Sequence, residues 1–324
     1  MKDGFGRTIE YLRISVTDAC NLRCRYCMPE EGPSGCNCKR NLSADEIVEI
    51  ASAASRLGMK KLRITGGEPL VRRDIVELTH RLGEIPGVED MSMTTNGTLL
   101  KSLARELYDA GIHRINISLD TLDDEKYRSM TRTGKLADAL SGIEAAIEVG
   151  MSPVKLNCVL IGGFNSDEVE SLARLTQKMP VDVRFIELMP IGDTAHFGAD
   201  AYLPGSFVTD RLPGVAVDTV VDAAEAEGKS VARLYRLPGA LGRVGIISPL
   251  SNHFCSECNR LRLTADGCIK PCLHSAEEIS VRGLHGKALE DAIAEAALHK
   301  PKMHVELSAT ERSESKRSMN RIGG

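Results

Sequence analysis

Tyr11-Leu12-Arg13-Ile14-Ser15-Val16-Thr17-Asp18-Ala19-Cys20-Asn21-Leu22-Arg23-Cys24-Arg25-Tyr26-Cys27 is an apolar, strand-like run that opens into a loop carrying three cysteines. Working outward, strand-like segments recur at Lys60–Ile64, Val88–Thr94, His113–Leu119, Val154–Val159 and Asp182–Leu188. Amphipathic helical stretches such as Ala44–Leu57, Leu99–Ala110 and Leu136–Val149 separate them. Ser43 with Glu46 three residues on has the form of a capping box. Gly58, Gly111 and Gly150 each follow a helical run, where a C-terminal glycine belongs. Six βα units predict an α/β chain with a parallel sheet, either open and doubly wound or a partial barrel; periodicity does not choose between them. The polar residues that invite a chemical reading share one place. Cys20–Cys27, Gly66-Gly67-Glu68-Pro69, Thr94-Thr95-Asn96-Gly97, Ser118 with Asp120, and Glu187 to Met189 all follow strands. Sites in parallel βα folds form at those carboxyl ends.

Composition narrows the class. The 324 residues suffice for one large domain with or without a small one. With 42% apolar and 27% charged residues the chain reads as a soluble globular protein. A net charge of −4 gives no basic field for nucleic acid or an anionic membrane, although local arginines can still hold a small anion. Met1 to Glu10 has no apolar run that could serve as a signal peptide, and no stretch approaches the length of a membrane span. A cytoplasmic location is expected. Residues 192–240 are weakly patterned and read as loops plus a covering layer. The expected division is 1–240 for the main domain and 241–324 for a C-terminal subdomain with a polar tail.

Ten cysteines in such a chain point to metal before disulfides, because they cluster. Cys20, Cys24 and Cys27 spell C-x3-C-x2-C, and three thiolates on one loop can hold three irons of a 4Fe–4S cube with the fourth iron open. A zinc knuckle completed by Cys36 or Cys38 is the alternative. Cys255, Cys258 and Cys272 spell C-x2-C-x13-C, again three thiolates, with Cys268 a competing fourth ligand for a closed zinc site. Arg260 and Arg262 alternate along a strand just after Cys258, and guanidiniums so placed suit a triphosphate.

The cysteine loop and the segment Arg63-Ile64-Thr65-Gly66-Gly67-Glu68-Pro69 resemble the signature of radical S-adenosylmethionine (SAM) enzymes. Tyr11–Asp18, Arg184–Pro190 and Phe254–Arg262 narrow the resemblance to the GTP 3′,8-cyclase family of molybdenum-cofactor biosynthesis, from about Tyr11 to Gly324. The resemblance implies a partial (β/α)6 barrel of the radical SAM type with a C-terminal iron–sulfur subdomain. It implies two 4Fe–4S clusters, on Cys20, Cys24 and Cys27 and on Cys255, Cys258 and Cys272. It assigns Tyr26, Gly67, Ser118 and Met189 to SAM, and Arg13, Arg63, Thr94, Lys155, Arg260, Leu261 and Arg262 to GTP. Arg13 is further expected to serve as a proton donor or positioning group, and the resemblance implies that the terminal Gly323 and Gly324 enter the active site. The implied activity is a lyase-type cyclisation: a 5′-deoxyadenosyl radical takes hydrogen from C3′ of GTP, and the carbon radical attacks C8. A reducing electron donor is then required, and a homodimer is left open. The rival readings are a radical SAM peptide maturase and a metal-bound scaffold. Cys36, Cys38, Cys158 and Cys268 are expected to be free thiols.

Overall fold

The computed structural model of the chain describes residues 1–32, 41–192, 197–212, 216–217, 231–305, 307–308 and 311–323. Cys36, Cys38 and Gly324 lie outside the described residues, as does part of 192–240. Strands β1 (Tyr11–Ser15), β2 (Lys61–Thr65), β3 (Asp90–Thr95), β4 (Arg114–Ser118), β5 (Val154–Leu160) and β6 (Val181–Glu187) pair in sequence order, all parallel. Their boundaries fall within a residue or two of the segments read from the apolar pattern. Between them run the longer helices α1 (Ala44–Arg56), α2 (Ile75–Gly83), α3 (Leu100–Asp109) and α5 (Leu136–Glu148), with the short α4 (Asp124–Thr131) before α5. Shorter helices α6 (Val169–Ala173) and α7 (Leu175–Lys178) connect β5 to β6, and α8 (Ser206–Arg211) follows β6.

The parallel set is wider than six. Downstream of β7 (Ala216–Val217) and β8 (Arg233–Arg236), β9 (Val244–Ile247) joins β6 in parallel, and β10 (Arg260–Leu263) joins β1 in parallel. Antiparallel hairpins finish both edges: β8 and β7 beyond β9, β11 (Cys268–Lys270) and β12 (Ile279–Ser280) beyond β10. The alternation of Arg260 and Arg262 already reads as a strand, but four residues are too few to declare its parallel pairing with β1, and β9 is too short to stand out from the apolar pattern at all. The region read as loops and cover therefore also contributes strands to the sheet. One continuous sheet crosses residue 240.

Strand alternation sorts the side chains. Leu12, Ile14, Leu62, Ile64, Leu261 and Leu263 are fully buried in the core with Ile47, Ile50 and Ala54 of α1. The intervening positions, among them Tyr11, Arg13, Lys61, Arg63, Arg260 and Arg262, face a cavity on the concave side. Helix α9 (Gly286–Leu298) packs beside α1 and covers the C-terminal hairpin. The capping box at Ser43 is formed, Glu46 N–H to Ser43 Oγ and Ser43 N–H to Glu46 Oε2. Gly58, Gly111 and Gly150 all take positive φ at helix ends.

Helix α5 crosses the turn after β3 so closely that a Cβ on Gly142 would run into the Gly97 carbonyl oxygen. Alanine favours a helix interior over glycine by about 0.5–1 kcal/mol, yet the collision is with backbone that cannot swing aside. Gly142→Ala is expected to lower stability by about 1–3 kcal/mol, read as a fall in the urea midpoint. A rise would show that α5 can shift outward freely.

Candidate active site

The first cysteine loop is fixed by backbone on both sides. Gly67 N–H donates to Thr17 O (2.7 Å) and Glu68 N–H to Ala19 O (2.8 Å), so the turn after β2 grips the segment leading to Cys20. A Cβ on Gly67 would collide with the Ala19 carbonyl oxygen and lie 2.7 Å from that of Asp18. Glycine is demanded here by the cysteine loop itself. On the far side, Arg23 N–H donates to Thr131 O and Arg25 N–H to Met130 O. The Arg132 guanidinium donates to the carbonyls of Arg23 and Met28, bracketing Cys24 and Cys27. The Cys27 and Met28 amides both turn back to the Cys24 carbonyl, and Leu22 N–H points at Cys20 Sγ at 3.3 Å.

Two buried carboxylates tie this loop to neighbouring strand ends. Glu68 accepts from Leu70 N–H, Thr95 Oγ1 (2.6 Å) and Asn96 N–H (2.7 Å); burial outweighs those donors and lifts its carboxyl to about 7. Asp120 accepts from Tyr26 Oη (2.9 Å) and Val159 N–H, and burial lifts it to about 6. Burial likewise pushes the Cys20 thiol up to about 11 and Cys24 well above its ordinary value. Bare, these sulfurs hold their protons; a bound metal supplies the free energy to remove them.

The second set is assembled from separated segments. Cys255 opens a short 3-10 turn, Cys258 leads into β10, and Cys272 follows β11. Lys300 Nζ donates to Arg260 O (3.0 Å) and Pro271 O (2.8 Å), and Arg7 Nη1 to Cys255 O (2.7 Å), which draws the three segments together. Burial would raise Cys258, but the charges of Arg260 and Lys300 prevail and bring it down to about 6. Cys268 is not among the residues that line the cavity with Cys255, Cys258 and Cys272; its N–H closes the β10–β11 turn onto Thr264 Oγ1. Cys158 is buried, with Asn165 Nδ2 3.4 Å from its sulfur.

Both cysteine sets open into one cavity of about 700 Å³. Tyr26, Gly67, Ser118, Met189, Thr94 and Lys155 line it, as do Arg13, Arg63, Arg260 and Arg262. The register across three strands sets Arg13 directly between Arg262 and Arg63, and Tyr11 between Arg260 and Lys61. Adjacent strands are about 4.8 Å apart, so the guanidiniums crowd. Burial, then the charges of Arg262 and Arg63, hold Arg13 well below its ordinary range; burial and Arg260 bring Arg262 to about 10. Such a row is costly to fold and waits for a polyanion. Leu261 brings no side chain to the cavity: it sits on the core face of β10, where alternation puts it.

The cavity also has unspent polar capacity. Tyr11 Oη, Thr94 Oγ1 and Asn157 Oδ1 are buried without a hydrogen-bond partner, and all three residues line it. A cavity walled by six cysteines, several cations and orphaned hydroxyl and amide groups fits two clusters with nucleotide-like ligands between them. At the tail, Gly323 is buried with φ +84°; a Cβ there would stand 2.6 Å from Thr65 Oγ1 and 3.0 Å from Ser15 Cβ. Its carbonyl accepts from Arg262 Nη1 at 2.7 Å.

Sequence reading overlooked several lining residues. Lys61 carries a usable signal, standing two positions from Arg63 on the same strand face, and Arg184 lies inside a motif singled out for its resemblance. His274 and His304 also line the cavity, their rings tilted and 4.7 Å apart, with His253 edge-on to His304 at 4.6 Å. No local pattern announces a cluster drawn from positions 253, 274 and 304.

A family model for the Radical SAM superfamily matches residues 14–176, and one for Molybdenum Cofactor Synthesis C matches residues 181–306. The GTP 3′,8-cyclase of Alkaliphilus oremlandii is 47% identical over the whole of both chains, and that of Moorella thermoacetica 46% identical over the whole of both. Among solved structures, SuiB of Streptococcus suis bound to S-adenosylmethionine matches with a TM-score of 0.62 at 16% identity, over 98% of this chain and 76% of that one. Native anSMEcpe with bound AdoMet matches with a TM-score of 0.58 at 14% identity, over 97% and 93%. The structural matches establish the partial-barrel fold, and the full-length identities go further: this chain belongs to the radical SAM superfamily and, within it, to the GTP 3′,8-cyclase family.

Proposed function

We propose that this chain is the enzyme that converts GTP to (8S)-3′,8-cyclo-7,8-dihydroguanosine 5′-triphosphate, the first step of molybdopterin formation. The observation that carries the reading is the single cavity with a cysteine triad at each side and a row of arginines between. Cys20, Cys24 and Cys27 would hold one 4Fe–4S cluster, and Cys255, Cys258 and Cys272 the other. When bound, the first cluster and SAM supply a 5′-deoxyadenosyl radical able to take hydrogen from C3′ of GTP.

This chain's own part is to bind, orient and exclude water. Tyr26, steadied by Asp120, with Gly67, Ser118 and Met189, frames SAM beside the first triad. Arg260, Arg262, Arg13 and Arg63 bring fixed positive charge to the triphosphate, with the Thr94 hydroxyl on the neighbouring β3 and Lys155 further along the sheet on β5. Leu261, fully buried and outside the cavity lining, would serve substrate only by holding Arg260 and Arg262 in register. Arg13, hemmed in by two other guanidiniums, acts as a positioning group. Gly323 would close the cavity from the tail, and the role expected of Gly324 belongs to the same reading. The division into a barrel with its cover (1–240) and a C-terminal subdomain (241–324) belongs to the same reading, as do a cytoplasmic setting and a reducing electron donor. No described helix is long and apolar enough to cross a membrane.

Three outcomes are expected. Anaerobically reconstituted protein binds about eight irons, and replacing Cys20, Cys24 and Cys27 with Ala leaves about half; zinc without iron at the C-terminal triad would contradict the two-cluster site. With reductant, SAM and GTP deuterated at C3′, the label appears in 5′-deoxyadenosine alongside the cyclised nucleotide; unlabelled 5′-deoxyadenosine would sink the proposed hydrogen transfer. Arg260→Ala and Arg262→Ala each weaken GTP binding by about 1.5–3 kcal/mol in calorimetry while SAM binding survives. An equal loss of SAM affinity would assign these arginines to the fold.

A further inference from the structure

The structure assigns Arg317 a role that neither cysteine motif nor substrate row suggests: it is the positioning residue that seats the C-terminal tail, through an ionic clasp on Asp266 and Glu278. Arg317 Nη1 donates to both carboxylate oxygens of Asp266, each at 2.9 Å. Its Nε reaches Glu278 Oε1 (2.7 Å) and Oε2 (2.9 Å), and Nη2 reaches Oε2 (2.6 Å). One guanidinium thus serves two carboxylates, with the three side chains only 14%, 30% and 20% exposed. Exposed single ion pairs contribute little, but a multidentate, partly desolvated arrangement is the exception.

The acidic notch is held by residues of the C-terminal hairpin, not by the tail. Asp266 sits in the β10–β11 turn, where Thr264 Oγ1 donates to its Oδ1 at 2.6 Å. Glu278 stands just before β12, held by the fully buried Lys270, whose Nζ donates to Glu278 Oε1 (3.0 Å) and Ser275 O (2.7 Å). Lys270 and Arg317 together balance the two carboxylates. Without Arg317 the notch carries one unbalanced negative charge, so the tail's arginine and the hairpin's acids are complementary parts.

The clasp lies one short helical turn, α10 (Met319–Ile322), before Gly323. Along that turn Asn320 Nδ2 donates to Asp18 O (3.1 Å), two residues before Cys20, and Gly323 ends on Arg262. Free chain ends fray unless tied down. Arg317 supplies the tie, and α10 is the strut that carries it to the cavity. The inference rests on the cyclase reading in one respect: tail seating is taken to be needed for turnover.

The test uses reconstituted, full-length holoenzyme, with carboxypeptidase trimming of the tail followed by mass spectrometry. Arg317→Ala should lose Gly324 and Gly323 at least about tenfold faster than wild type, and product formation should fall by a similar factor. Iron content should not change. Arg317→Lys should recover part of both, since an ammonium engages the two carboxylates less completely. Asp266→Asn should give an intermediate trimming rate, and the exposed neighbour Lys316→Ala should match wild type. A tail as protected in Arg317→Ala and Asp266→Asn as in wild type overturns the clasp, whatever the activities. Absence of cyclised product from the wild-type holoenzyme would strike the cyclase reading instead, and the trimming rates would still decide the clasp.

Discussion

The parallel pairing of β10 with β1 is the interaction on which the rest depends. It joins positions some 250 residues apart in sequence and sets Arg262 level with Arg13, which the β1–β2 register already sets level with Arg63. The same pairing carries Cys258, two residues before β10, to the cavity that Cys20 to Cys27 face from the other end of β1. Backbone hydrogen bonds of a ladder cannot slip by one residue without turning every side chain to the opposite face. A one-residue slip in β10 would bury Arg260 and Arg262 in the core and expose Leu261 and Leu263. The hydrophobic core therefore enforces the geometry of the charged row, and the site inherits its precision from packing on the other side of the sheet.

The cysteine loop shows a second use of backbone. Gly67 and Glu68 read as ligand-facing residues when only their motif is visible, yet their nearest partners are Thr17, Asp18 and Ala19. The turn after β2 is first a splint for the loop that bears Cys20, and only through that a wall for a ligand. Glu68 extends the splint to β3 through Thr95 and Asn96. A carboxyl raised to about 7 by burial is a poor surface charge but a good structural acceptor, since three donors already converge on it.

What the sequence made legible was local. Strand and helix segments, the capping box and both cysteine spacings each lie within a few residues, and physical rules connecting near neighbours suffice for them. The membership of β9 and β10 in the parallel set was not legible, because a strand of four residues has too little periodicity to declare its partner or its direction. Alternation alone would have separated Leu261 from Arg260 and Arg262, given the strand. The histidine cluster and the Arg317 clasp depend on contacts between distant segments, so no local signal could have announced them. Gly67 belongs to a recognisable motif, yet what demands glycine there is the close approach of the Asp18 and Ala19 carbonyls.

Charge explains why so much of the chain is spent on holding the cavity's walls. Three arginines abreast, with Lys61, Lys155 and Arg184 nearby, repel one another, and burial strengthens that repulsion. A protein that left this row to a flexible loop would splay it into water and lose the preorganised field. Here Arg13, Arg63 and Arg262 are rooted in central strands, and Arg262 is further steadied by the Gly323 carbonyl at 2.7 Å. That carbonyl is a neutral acceptor: it orients one N–H without cancelling the charge, leaving the guanidinium's positive field for an anionic ligand. A carboxylate in its place would neutralise the row and compete with the triphosphate. Glycine backbone at the tail's end thus does what no acidic side chain could, and the acids that anchor the tail, Asp266 and Glu278, are committed to Arg317, outside the set of residues that line the cavity.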